Sequence, residues 1–166
     1  VFAREVMNGN SRVYSLLLSL IGLGSLIGAI FMAGHGGRLR SKYHLIVNSF
    51  IIAILQMITL FTKDFVSVSL VFISIGFFNL TFLNKANTTL QFNTDDEYRG
   101  RVMSIYSLLN IGSTPLGSAF SGMIMEKFGG EFGFFSCGLI IFLAAAAIVI
   151  FARFGRGHTG SFLGIF

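Results

Sequence analysis

Charge is scarce in this sequence. Only 11% of its 166 residues are Asp, Glu, Lys or Arg, where a soluble domain carries about 25%. So few charges cannot cover a water-facing surface, which argues against a soluble globule. Disorder is excluded as well: a chain stays unfolded when apolar content is low and charge is high, and here 54% of residues are hydrophobic. Cysteine occurs once, at Cys137. A lone thiol forms no internal disulfide and holds no metal by itself, so its ordinary role is that of a small buried apolar residue. The net charge of +5 does not point to nucleic acid, because in a membrane protein Lys and Arg mark the cytoplasmic side.

What is abundant is uninterrupted apolar sequence. Residues 13–37, 43–62, 65–84, 102–125 and 132–152 contain no Asp, Glu, Lys or Arg. A bilayer core about 30 Å thick is crossed by roughly 20 apolar residues of helix, and all five windows reach that length. In hydrocarbon each backbone N–H and C=O must be paired inside its own segment, so such windows are helices. Transmembrane barrels show alternating segments of about ten residues, which are absent. A soluble bundle needs polar outer faces, and residues 51–60 and 142–151 have almost none. The expected fold is an all-α, polytopic membrane helix bundle with five transmembrane helices.

The basic residues give an orientation. Arg38, Arg40, Lys42, Lys85, Arg99, Arg101, Arg153 and Arg156 flank one side, and Arg4, Arg12, Lys63 and Lys127 the other. Lys and Arg favour the cytoplasmic side, so the C-terminus is expected inside and the N-terminal end outside. The start at Val1, inside a charged stretch, suggests a chain cut from a longer one. No signal peptide precedes the first window.

Several stretches carry finer information. In the first span Ser15, Ser19, Gly22, Ser25 and Ala29 fall near one face, and Gly24 and Gly28 form a small-xxx-small pair. Such faces let helices approach closely, and lining a pathway is the other reading. The Gly34–His35–Gly36–Gly37–Arg38–Leu39–Arg40 stretch is a tight basic reversal. It lacks the strand and terminal Lys-Ser/Thr of a nucleotide loop. The second span has Gln56 as its one bulky polar group mid-span, and the very short reversal at residues 62–64 makes the second and third spans antiparallel neighbours. The third turns polar in its second half, where Asn84, Thr88 and Gln91 share a face. Amides in hydrocarbon must be paired or face water, so these residues either bond between helices or face a solute. Lys85, near the cytoplasmic end, is expected to snorkel. Thr94 and Glu97 fit a capping box opening the fourth helix, and Asp95–Arg99 and Glu97–Arg101 have the favourable i, i+4 order. That stretch reads as a helix cap or as a charged latch between moving helices. Ser107, Asn110 and Thr114 lie along one stripe of the fourth span, and Pro115 is expected to kink it. Residues 126–131 read as an outer turn. The Ala run at 144–147 leaves room for close approach by another helix.

The pattern Asn87-Thr88-Thr89-Leu90-Gln91, then Asp96-Glu97-Tyr98-Arg99-Gly100-Arg101-Val102-Met103-Ser104, then Gly112-Ser113-Thr114-Pro115-Leu116-Gly117 resembles the major facilitator superfamily. It is most similar to that superfamily's bacterial drug, macrolide and siderophore exporters. The resemblance implies twelve spans in two related halves, with these five corresponding to helices 8–12. Residues 1–12 would be the end of a preceding helix and its outer loop, residues 13–154 the five-helix part of the C-terminal half, and residues 155–166 a cytoplasmic tail. It implies a multi-pass protein of the bacterial plasma (inner) membrane that exports small organic molecules by alternating access. The chain would be inactive without the missing N-terminal half. Substrate would meet Asn84, Thr88, Gln91, Ser107, Asn110 and Thr114. Gating and loop roles fall to Gly34, Arg38, Arg40, Asp96, Glu97, Arg99, Gly100 and Arg101. The Gly34–Lys42 loop departs from the family's fuller motif by lacking its acidic member. No acid lies in a span, so a coupling carboxylate would belong to the missing half.

Transport is favoured over a membrane protein acting in helix–helix assembly, because the polar stripes go beyond packing needs. An intramembrane enzyme is the remaining alternative. It would require ionisable groups mid-bilayer, whereas His35, His44 and His158 fall at ends or in the tail. No catalytic residue, metal ligand, cofactor or nucleic-acid partner is expected.

Overall fold

The computed structural model describes residues 11–35, 41–62 and 64–154. They form five α-helices and no strand. Helix α1 spans Ser11–His35, α2 Ser41–Ile58, α3 Phe65–Phe92, α4 Asp96–Phe128 and α5 Gly130–Phe154. The expectations placed on Arg4, Arg38, Arg40, Lys63 and Arg156 lie outside the described residues.

The five windows are not equivalent as spans. Ser15–Gly34, Phe65–Phe92 and Phe132–Phe151 are long and apolar enough to cross a membrane. The apolar helix His44–Ile58 is shorter. After Ile58 the chain closes into turns, with Leu60 N–H bonded to Met57 O at 3.3 Å and Phe61 N–H to Ile58 O at 2.9 Å. Helix α4 is ample in length at 33 residues, but its Ser, Asn, Thr and Gly residues dilute its apolarity. The expected outer turn at residues 126–131 is also corrected. Helix α4 runs to Phe128 and α5 starts at Gly130, so Gly129 alone joins them. Its φ of 96° is accessible to glycine without a Cβ clash, and its N–H bonds Met125 O at 3.0 Å.

The helices are connected by contact in the order α1, α3, α2, α5, α4, and α3 meets α4 only slightly. Helices α2 and α3 are packed neighbours, as their short reversal requires. Lipid gives no hydrophobic drive between helices, so close packing and interhelical hydrogen bonds must supply the attraction. The α1–α3 contact is the most intimate. A Cβ on Gly24 would collide with the carbonyl of Ile73, one on Gly76 with the carbonyl of Ile21, and one on Gly28 would stand 2.9 Å from Phe77 O. The Ser25 hydroxyl donates to Gly76 O at 3.3 Å across the same seam. Below it Leu17, Val68 and Phe72 are buried, ringed by Val13, Leu20, Ile21 and Phe134.

The small face read from the sequence is therefore only partly the packing face. Gly24 and Gly28 are buried, while Ser15, Ser19 and Gly22 are exposed. Gly22 has nothing near its Cβ position, and the Ser19 hydroxyl is spent on Ser15 O at 2.9 Å. Seating the Leu17–Leu20–Ile21 ridge on α3 brings Gly24 and Gly28 onto the seam, keeps Ser25 at its edge and rotates Ser15 and Ser19 off it. Between α2 and α5 the close approach is at Gly138, whose Cβ would stand 2.8 Å from Ala53 O. Phe50 and Phe142 meet edge-on there at 5.2 Å. Of the Ala run, Ala145 is buried.

Replacing Gly24 with Ala should destabilise the bundle by about 1–3 kcal/mol, the usual range for overpacking, because the obstacle is backbone. Gly22→Ala should be neutral or mildly stabilising. Unfolding of the two variants in mixed micelles checks this, and equal stability would contradict the assigned seam.

Candidate functional site

Three groups of polar side chains lie within or at the ends of the apolar helices. The first is the expected stripe on α3. Asn84 is half-buried, and Thr88 and Gln91 are exposed. Gln91 Nε2 donates to Asn87 Oδ1 at 2.8 Å, a pairing within one helix.

The second group lies on α4, where Ser107, Asn110 and Thr114 are all exposed. Among its described residues α4 has no buried one. Asn110 Nδ2 lies 3.4 Å from the Tyr106 hydroxyl. Ser113 and Thr114 both donate to Asn110 O, at 3.1 and 3.2 Å. Pro115 sits inside a helix that continues on both sides of it; its missing N–H withdraws the usual partner of the Ile111 carbonyl. The α3 and α4 stripes are not brought together, since the two helices barely touch.

The loop before α4 corrects two local expectations. The N-cap is Asp95, with no side-chain cap bond, so the Thr94–Glu97 capping box does not form. The Thr94 hydroxyl donates instead to Leu90 O at 2.6 Å, which ties it to the end of α3. Arg99 pairs with Asp96 at 2.6 Å, one turn apart, and not with Asp95. Asp95 precedes the first helical turn, whereas Asp96 lies on the helical face that Arg99 follows. These side chains are 47% and 88% exposed, so the pair is worth at most about 1 kcal/mol. Among the described residues no ion pair joins Glu97 to Arg101. Glu97, Gly100 and Arg101 are exposed, as is Gly34 near the end of α1.

The third group was not assembled from the sequence. Asn48 on α2 and Thr81 and Lys85 on α3 are only 2%, 1% and 7% exposed. Lys85 is thus buried in the bundle and not an exposed anchor: it lies one turn from Thr81, on the face α3 turns to α2. Asn48 Nδ2 donates to Thr81 Oγ1 at 3.0 Å and lies 3.3 Å from His44 Nε2. The Thr81 hydroxyl in turn donates to Phe78 O at 2.9 Å. Lys85 is close enough to His44 for its charge to act on the ring. The signal was available. His44 and Asn48 are four apart on α2, and Thr81 and Lys85 are four apart on α3, so an antiparallel hairpin can set one pair against the other to within a turn. Further along α2, Gln56 Oε1 is buried without a partner among the described residues.

The described residues thus form a helical bundle of membrane type, with polar stripes along otherwise apolar helices. Over residues 1–159 the chain matches the family described as Transmembrane secretion effector. It belongs to that family, within the major facilitator superfamily, whose members are multi-pass transporters of small solutes in the lipid bilayer and not enzymes. Neither the curated proteins nor the solved structures give a significant match.

A double-mutant cycle between Asn48→Ala and Thr81→Val should give a coupling of about 0.6 kcal/mol, and at most about 1.7, the range found for hydrogen bonds inside membrane bundles. Unfolding free energies of the four proteins in mixed micelles measure it. Strict additivity would mean that the 3.0 Å contact contributes nothing.

Proposed function

We propose that the chain is the five-helix part of the C-terminal half of a secondary transporter that exports small organic molecules by alternating access. In this reading residues 13–154 form the bundle, corresponding to helices 8–12 of twelve. Residues 1–12 end a preceding helix, and residues 155–166 are a cytoplasmic tail. The protein resides in a bacterial inner membrane with its C-terminus inside, and a further, N-terminal half completes the machine.

The observation that carries the reading is the state of α4. It is long enough to span, has no buried residue among those described, and presents Ser107, Asn110 and Thr114 outward. The Thr114 hydroxyl is satisfied within the helix by Asn110 O, but an amide such as Asn110 faces lipid tails only at a desolvation cost. The stripe that carries it is therefore better placed against water, solute or another part of the protein. A transporter whose two halves rock about a central aqueous site supplies all three. Thr88 and Gln91 on α3, also exposed, would join α4 in contacting solute, with Asn84 at the edge. The loop from Asp96 to Arg101, with the basic reversal containing Gly34, Arg38 and Arg40, would act at the cytoplasmic gate. Pro115 would let α4 bend.

Cysteine placed at Asn110, with Cys137 replaced by Ser, should react with a charged, water-soluble maleimide faster than cysteine at the apolar exposed position Leu143. Equal rates would favour a packing role for the stripe, and with it helix–helix assembly over transport. A reporter fused after Arg153 should register as cytoplasmic. An external reading would reverse the orientation.

A further inference from the structure

We propose that His44, half-buried near the start of α2, is a proton-binding site and that its occupancy sets the direction of the hydrogen-bond chain joining α2 to α3. The inference stands apart from the transport reading, since it concerns the chemistry of four side chains whatever solute is carried.

The argument is a count of protons. The Thr81 hydroxyl has one, and it is given to Phe78 O at 2.9 Å. Its oxygen can therefore only accept from Asn48. This fixes the Asn48 amide, which must present its NH2 toward Thr81 at 3.0 Å. The same NH2 lies 3.3 Å from His44 Nε2. An NH2 group offers only hydrogens, so Nε2 must hold a lone pair and the ring proton must sit on Nδ1. The chain is directional throughout: Asn48 donates at one side to His44 and at the other to Thr81, and Thr81 donates to the α3 backbone.

A proton on Nε2 conflicts with this arrangement, because it sets N–H against N–H. Two adjustments together remove the conflict. The Asn48 amide turns so that Oδ1 faces His44, and Thr81 then swings its proton from Phe78 O to Oδ1. Proton binding at His44 thus reaches the α3 backbone at Phe78 through two side chains, one of them on α2. Asn48 and Thr81 are almost fully buried, so water does not readily replace the contacts given up.

Among the described side chains the charged group set against His44 is Lys85; Lys42, two residues away on α2, lies outside them. Lys85 faces the ring from α3, so a protonated ring places two cations side by side. The described side chains of α5, the other helix packed on α2, carry no charge. Those of α1, packed on α3, carry none either. On α4 the charged groups nearest in sequence to α3 are Asp96, Glu97, Arg99 and Arg101, all exposed beyond its end.

The test is nitrogen-15 spectroscopy of the whole chain in lipid nanodiscs, with His44 and Asn48 signals assigned by substitution. At about pH 8 the His44 Nε2 resonance should be that of an unprotonated acceptor. As pH falls to about 5, the Asn48 side-chain amide signal should shift in step with the ring. In His44→Gln, which can accept from Asn48 but cannot titrate, the Asn48 signal should stay fixed. The proposal is overturned by a protonated Nε2 at about pH 8, by a ring that does not titrate across the range, or by an Asn48 signal that ignores the ring's titration. If His44→Gln fails to fold, the wild-type readings alone decide.

Discussion

The structure rests on how near two backbones can come when no solvent pushes them together. Lipid tails are as apolar as leucine side chains, so a helix in a membrane gains little by hiding its apolar face. It gains by contact. In α1 and α3 that contact is made at Gly24 and Gly76, each seated against a carbonyl of the opposite helix. Everything else on the α1–α3 seam follows from this approach. The Leu17–Val68–Phe72 cluster closes beneath it, Phe31 comes to 5.6 Å from Phe77, and the Ser25 hydroxyl reaches Gly76 O. A methyl group at Gly24 or Gly76 would hold the helices apart and weaken all these contacts at once.

The α2–α3 seam solves the same problem with polar groups. Ala53 allows close approach on α2's other contact, to α5, but toward α3 the buried groups are Asn48, Thr81 and Lys85. Hydrogen bonds have direction and apolar contacts do not, so this seam specifies register where the glycine seam specifies distance. The 2.6 Å link from the Thr94 hydroxyl to Leu90 O and the Arg99–Asp96 pair are of another kind. Both are local, and neither joins separate helices.

The helices were legible in the sequence because charges cannot enter hydrocarbon, and their positions marked the ends of the apolar windows. The α2–α3 neighbour relation was legible because a reversal as short as residues 62–64 leaves no alternative. The positions of the turns were less so. Residues 126–131 look like a loop by composition, yet helix occupies all but Gly129, because Glu126 and Lys127 are tolerated at a helix end. Which small residues of α1 would pack depended on the ridge at Leu17, Leu20 and Ile21, a tertiary choice that spacing alone does not make. Of the candidate site, the stripes on α3 and α4 were readable as periodic polar positions. The His44–Asn48–Thr81–Lys85 cluster was missed because each residue was judged on its own helix. His44 looked like a helix end and Lys85 like a surface anchor, and only the hairpin register makes them neighbours.

The single-residue joint at Gly129 has a mechanical consequence. A long loop absorbs relative motion as slack, but one glycine between two helices of 33 and 25 residues leaves almost none. Force applied along α4 is delivered to the start of α5 as torque about one pivot. Helix α5 is in turn pinned to α2 where Gly138 meets Ala53. The two helices therefore form one bent unit, jointed at Gly129 and seated on α2 where Gly138 meets Ala53.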